Sequence, residues 1–128
     1  MQFDGHLNAI RHGLNTCPRL KQRAKRLTLR ILLAAEEEGH VLHLQNGMIT
    51  AIAPDRGPMH DWDVALRMAR TDWERFWQPR PAPGWHDIFA LTRSGRLRLE
   101  GNHLPLMQHL QVIKDILALP RGNGRGAA

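Results

Sequence analysis

The 128-residue chain carries 18 Lys and Arg against 12 Asp and Glu, a net charge of +6, with a single cysteine. That length supports one domain with one core of moderate size. The lone Cys17 excludes an intramolecular disulfide framework and favours a reducing, cytoplasmic setting. No apolar run approaches the roughly 18–20 residues of a bilayer span, no hydrophobic segment near the start reads as a secretory signal, and the final Gly126-Ala127-Ala128 is not a peroxisomal tripeptide.

Phe3, Leu7, Ile10 and Leu14 recur at the spacing of one helix face, with Asp4 as its N-cap and Gly13 or Asn15 as its stop. Such a helix docks on a sheet, lids a cavity or lies on a lipid surface. The first 35 residues, Arg-rich with Asp4 as their one acid, also have a presequence-like composition, which the Gly-Asn-Pro punctuation interrupts. Next, Thr16 and Pro18 open a short helix whose apolar stripe is Leu20, Ala24 and Leu27. Its other face holds Arg19, Lys21, Arg23, Lys25 and Arg26, with Arg30 beyond, and is either a solvated surface or one that meets an anionic membrane or protein. No aromatic side chains are interleaved there, so nucleic acid is not an expected partner.

From Leu27 the pattern changes to strands: 27–35, a Glu36–Gly39 turn, 40–45, and 48–53 after the Asn46-Gly47 hairpin signal. Asp55-Arg56-Gly57-Pro58 ends this meander. Trp62, Val64, Leu66 and Met68 then alternate with Asp63, Ala65 and Arg67 as a fourth strand. Thr71-Asp72 opens a helix with Trp73, Phe76 and Trp77 on one face. A Pro-rich elbow over 78–84 leads to a second short helix carrying Trp85, Ile88 and Phe89. Gly95 and Gly101 bracket a strand with Leu97 and Leu99 on one side and Arg96, Arg98 and Glu100 on the other, the arginines in solvent. A terminal helix from about Leu104 to Leu119 aligns Leu106, Leu110, Ile113 and Leu117, and 120–128 reads as a disordered tail. The expectation is one α+β domain over 1–119.

Four segments in this order resemble the sterol carrier protein type-two domain family, as a stand-alone bacterial member would look. They are Asp61-Trp62-Asp63-Val64-Ala65-Leu66-Arg67, Thr71-Asp72-Trp73, Ser94-Gly95-Arg96-Leu97-Arg98-Leu99-Glu100-Gly101-Asn102, and the amphipathic helix over 104–119. The Gly-x-Leu-x-Leu-x-Gly spacing is the most specific of them, and the likeness extends more weakly back to residue 27. The resemblance implies a twisted, mainly antiparallel sheet of about five strands with helices on one face. It also implies an apolar tunnel for lipids. The Pro-rich elbow is longer than the family pattern.

The residues offer no catalytic constellation. His40 and His43 fall on opposite strand faces, His103 and His109 are too far apart on a helix, and Cys17 has no assignable base. No metal site and no cofactor are expected. The expected function is non-enzymatic binding of a lipid, sterol-like or isoprenoid and quinone-like ligand, for transport or presentation. Trp73, Phe76, Trp77, Trp85, Ile88 and Phe89 are its expected wall or lid, joined by Leu106, Leu110, Ile113 and Leu117; the same residues equally suit a plain core. Two alternatives stand beside it. One is an accessory protein that assists lipid-handling enzymes, or a homodimer, through the aromatic stretch. The other is an anionic membrane-surface binder through 19–30.

Overall fold

A computed structural model describes residues 3–36, 38–54, 62–85 and 87–121. Asp55-Arg56-Gly57-Pro58, Asp61 and residues 122–128, on which parts of the sequence reading fall, lie outside the described residues.

Helix α1 (Phe3–Asn15) buries the expected stripe of Phe3, Leu7, Ile10 and Leu14, and α2 (Pro18–Arg23) follows with Leu20 inward. Three strands come next: β1 (Leu29–Ala35), β2 (Glu38–Gln45) and β3 (Met48–Pro54). Asn46 and Gly47 both take positive φ, 52° and 83°, which closes the β2–β3 hairpin as the sequence predicts. β4 (Val64–Arg67) leads into α3 (Arg70–Phe76), and α4 (Ile88–Arg93) into β5 (Arg98–Gly101). α5 (His103–Gln108), α6 (Leu110–Leu117) and a 3-10 turn (Leu119–Arg121) complete the described chain.

The strand order is β3-β2-β1-β4-β5. β1–β2, β2–β3 and β4–β5 pair antiparallel, and β1–β4 pair parallel, so the sheet is mixed and mostly antiparallel. β1 and β4, two of the three inner strands, are buried on both faces, which is why their sequences run as near-continuous apolar stretches. The main core lies between the sheet and the helices and draws on Ile31, Leu33, Leu42, Leu44, Val64 and Leu66 from the sheet. A smaller cluster of Leu32, Ala34, Val41 and Ala65, with Trp62 against it, occupies the other face.

Asp63 joins three strands. Its carboxylate accepts from the Arg30 backbone N–H at 2.9 Å and from the Arg30 guanidinium at 3.1 Å. Its own N–H donates to Arg30 O, and its carbonyl accepts from Asn102 N–H, each at 2.8 Å. Gly101 sits opposite with φ 93°, and a Cβ there would lie 2.5 Å from the Asp63 carbonyl oxygen. Only glycine fits this closing residue of the Gly-bracketed strand. The side-chain amide of Asn15 fixes the end of α1 to the edge strand: it donates to Ile49 O at 3.1 Å and accepts from Ile49 N–H at 3.0 Å.

Several expectations change. Trp85 precedes its helix: the Asp87 carboxylate caps α4 by accepting from Phe89 N–H, and Trp85 closes a turn onto Ala82 O. Thr16 does not cap α2; its hydroxyl donates at 2.7 Å to His12 O in the last turn of α1. The single terminal helix is two, because His109 leaves helical geometry at φ −121°, ψ 28°. The bend rotates the inner face of α6, so Val112 and Ile116 join Ile113 and Leu117 in the core while Leu110 is half-buried. Order also continues past 119, since Arg121 Nε donates to Phe76 O at 2.8 Å and its guanidinium lies 4.6 Å above the Phe76 ring.

Candidate functional site: the aromatic layer beneath the helices

The short period of α3 stacks Trp73, Phe76 and Trp77 toward the sheet, and α1 lays Phe3 and His6 against them. Trp73 and Trp77 stack at 4.8 Å and 25°, Phe76 meets Trp73 edge-on at 5.8 Å, and Phe3 meets Trp73 at 6.1 Å and Trp77 at 5.8 Å. The His6 ring covers the outer side of this group, 4.7 Å from Trp77 and nearly parallel to it. These are offset and edge arrangements that favour aromatic pairs beyond the area they bury.

Each buried indole N–H has an acceptor. Trp73 Nε1 donates to Ala34 O in β1 at 2.9 Å, and Trp77 Nε1 donates to Leu117 O at 2.8 Å, satisfying a carbonyl in the last turn of α6. The layer therefore ties α1, α3, α6 and the sheet together. Among the described residues no polar or charged residue is buried.

The candidate ligand-binding residues separate into three positions. Trp73, Phe76, Trp77, Ile88, Leu106, Ile113 and Leu117 are buried and belong to the one cluster between sheet and helices. Leu110 and Phe89 are half-buried at its margin. Trp85 packs against the cluster from outside, with the Arg75 and Arg96 guanidiniums 5.1 and 4.8 Å from its ring. Phe3 and His6 were not among the expected wall residues, although the α1 periodicity that placed Phe3 inward was visible. Leu104 and Met107 on α5 are well exposed.

The basic group sits apart. Arg19, Lys25 and Arg26 are exposed and Lys21 is half-buried, while Arg23 pairs with Asp115 of α6 at 2.7 Å. On the far side of the sheet a groove of about 230 Å³ is lined by Thr28, Arg30, His43, Gln45, Thr50 and Asp63 among others. It is smaller and more polar than a lipid pocket. Among the described residues no helix is long and apolar enough to cross a membrane.

No protein-family model and no curated protein matches the chain. Among solved structures it is similar to a sterol carrier protein 2, with TM-score 0.71 and 20% identity over 91% of this chain and 94% of that one. It is also similar to a UbiJ-SCP2 ubiquinone synthesis protein, with TM-score 0.57 and 17% identity over 87% and 88% of the two chains. A sec-alkyl sulfatase, PisA1, matches with TM-score 0.62 and 15% identity over 88% of this chain but only 16% of that enzyme. At these identities the likeness concerns architecture: the chain has the sterol carrier protein 2 fold.

Proposed function

We propose that this chain is a non-enzymatic binding domain that takes an apolar ligand between its sheet and its helices, for transport or presentation. The ligand class is a lipid, a sterol-like molecule or an isoprenoid and quinone-like one. The observation that carries the reading is the layer itself: large apolar groups from α1, α3, α4, α5 and α6 converge over the sheet, with no polar or charged residue buried among the described residues. Such an interior recognises shape and apolar surface. A ligand burying about 300 Å² of apolar surface gains about 7 kcal/mol. That is set against parting two or three ring contacts and the indole N–H bonds of Trp73 and Trp77, each worth about 0.5–1.5 kcal/mol. The Trp73–Phe76–Trp77 group is the part that moves aside, and the bend at His109 supplies a hinge between α5 and α6.

A second reading, an accessory protein presenting such a molecule to a lipid-handling enzyme, is favoured by Leu104 and Met107, which stand 62% and 49% exposed on α5. Trp73, Phe76 and Trp77 are turned inward, so α5 offers the apolar contact surface in that case. Arg19, Lys25 and Arg26 on the α2 side would add attraction to an anionic membrane or protein, with binding that weakens as salt rises.

Native mass spectrometry of the purified protein, with organic extraction of what it carries, tests the main reading. An apolar species near one per chain supports it. A ligand-free protein that also takes up no fatty acid, sterol or prenylquinone moves the reading to the accessory role.

A further inference from the structure

On β2, Glu38 and His40 are two residues apart and therefore project to the same face as Leu42 and Leu44, toward the helices. At that end of the sheet they meet Asp4, in the first turn of α1. His40 Nε2 lies 3.1 Å from Asp4 Oδ1 and 3.1 Å from Glu38 Oε2, and the three ligand atoms are all within 4.8 Å of one another. We propose that Asp4, Glu38 and His40 form a binding site for one divalent cation of the zinc class, bridging α1 to β2.

Spacing, satisfaction of polar groups, and charge support this site. The first is spacing. Ligands about 2.0–2.2 Å from a tetrahedral zinc stand about 3.3 Å from each other. The two nitrogen–oxygen separations here already approach that edge length.

The second is satisfaction. One ring nitrogen carries at most one hydrogen, yet two carboxylate oxygens face it at the same distance. A neutral imidazole presenting its lone pair to them is repelled, and a donating one must divide its single N–H between them. A cation at the centre serves all three groups.

The third is charge and orientation. Arg70 Nη2 donates to the other oxygen of Glu38 at 2.7 Å, fixing that carboxylate so that Oε2 is left for the cation. Glu36, 3.9 Å from Arg70, adds a further negative group. With Asp4, Glu38 and Glu36 against Arg70, the described groups here form an acidic island in a chain of net charge +6.

The imidazole selects the cation. A nitrogen ligand with two carboxylates suits zinc and its first-row neighbours rather than calcium or magnesium. Only His40 is largely covered, at 17% side-chain exposure against 34% for Glu38 and 69% for Asp4, so water completes the coordination from the open side. Phe3, next to Asp4, lies 5.9 Å from the His40 ring and packs on Trp73 and Trp77, so the cation would clamp α1 over the aromatic layer.

The test is calorimetric titration of the chelator-treated full chain with zinc alone, then with calcium and magnesium. The expected result is one zinc per chain, no comparable binding of calcium or magnesium, and a melting temperature that rises with zinc. His40→Gln and the exposed Asp4→Asn each lower zinc affinity by more than the roughly 10–100-fold that loss of an outer-shell partner costs. His43→Gln, on the opposite strand face, leaves it unchanged. Absence of a stoichiometric zinc site, or a site that survives both His40→Gln and Asp4→Asn, overturns the proposal. Loss on His43→Gln equal to that on His40→Gln does so too.

Discussion

Trp73 is fully buried, and replacing it by phenylalanine removes three things at once. The indole N–H bond to Ala34 O disappears, worth about 0.5–1.5 kcal/mol net. Ala34 O keeps a partner in the Met68 N–H at 3.1 Å, so no carbonyl is orphaned and the loss stays in that range. The stacking on Trp77 and the edge contacts to Phe3 and Phe76 weaken, at about 0.5–1.5 kcal/mol for a good pair. A smaller ring also leaves a void that the packed layer only partly closes, adding up to about 1 kcal/mol. Trp73→Phe should therefore destabilise the ligand-free protein by about 2–3 kcal/mol. For a domain of this length that lowers the melting temperature by about 6–12 °C. Urea unfolding should show a lower midpoint at an unchanged slope. A loss below about 0.5 kcal/mol, the level of an ordinary surface substitution, would refute the claim that this aromatic group is a closed, packed layer.

Three further outcomes follow from specific contacts. Asn15→Ala strips both bonds from Ile49 and should cost about 1–3 kcal/mol in urea unfolding, whereas a loss under half of that would mean the amide only accompanies the docking of α1. Gly101→Ala forces a Cβ against the Asp63 carbonyl and should cost about 2 kcal/mol or more through steric and backbone strain, with thermal melting as the readout; a neutral result would contradict the tight β4–β5 closure. Acid should destabilise the fold through four carboxyls held below their ordinary range. The Arg70 and His40 hydrogen bonds lower Glu38, and those from Arg67 and Arg98 lower Glu100. In Asp63 and Asp87, burial pushes upward but is outweighed, by the Arg30 bonds in one and by the Phe89 N–H and Lys114 in the other. Because the folded values lie below the unfolded ones, this stability is complete above the usual carboxylate range and is lost as pH falls from about 5 through the folded values. The urea midpoint should drop between pH 7 and pH 4, and Asp63→Asn should flatten that drop; a midpoint that holds or rises on acidification would refute the assignment.

Much of this architecture is written in local periodicity. The α1 stripe and the Asn46-Gly47 hairpin each depend on residues close in sequence, and each appears where the pattern places it; Leu97 is buried between exposed Arg96 and Arg98 as the alternation predicts, although Arg96 and Leu97 precede β5, with Leu97 N–H bonded to Leu91 O after α4. The burial of Trp73, Phe76 and Trp77 was legible for the same reason, since they share a helix face. What escaped depends on distance along the chain. The Asn15 amide meets Ile49 across 34 residues, and Asp4 meets Glu38 and His40 across a similar gap, so no spacing rule pairs them. Glu38 and His40 share a strand face two residues apart, a pairing that histidine-to-histidine spacing does not reveal. The bend at His109 left no punctuation in the sequence, as leucines continue at helical spacing through it. Trp85 fits a helical period but falls before the cap that Asp87 sets. The parallel β1–β4 pairing is a topological fact that alternation in each strand leaves open.

The central claim is that an apolar ligand occupies the space between the helices and the sheet. Methyl NMR during titration with a long-chain fatty acid tests it most directly, because the two sheet faces carry distinct methyl groups. Saturable shifts are expected at Leu106, Ile113 and Leu117, which line the helix side, with Leu32 and Val41 on the other face unmoved. Shifts confined to Leu32 and Val41, or none at any of these methyls at a concentration where binding is complete, would contradict it.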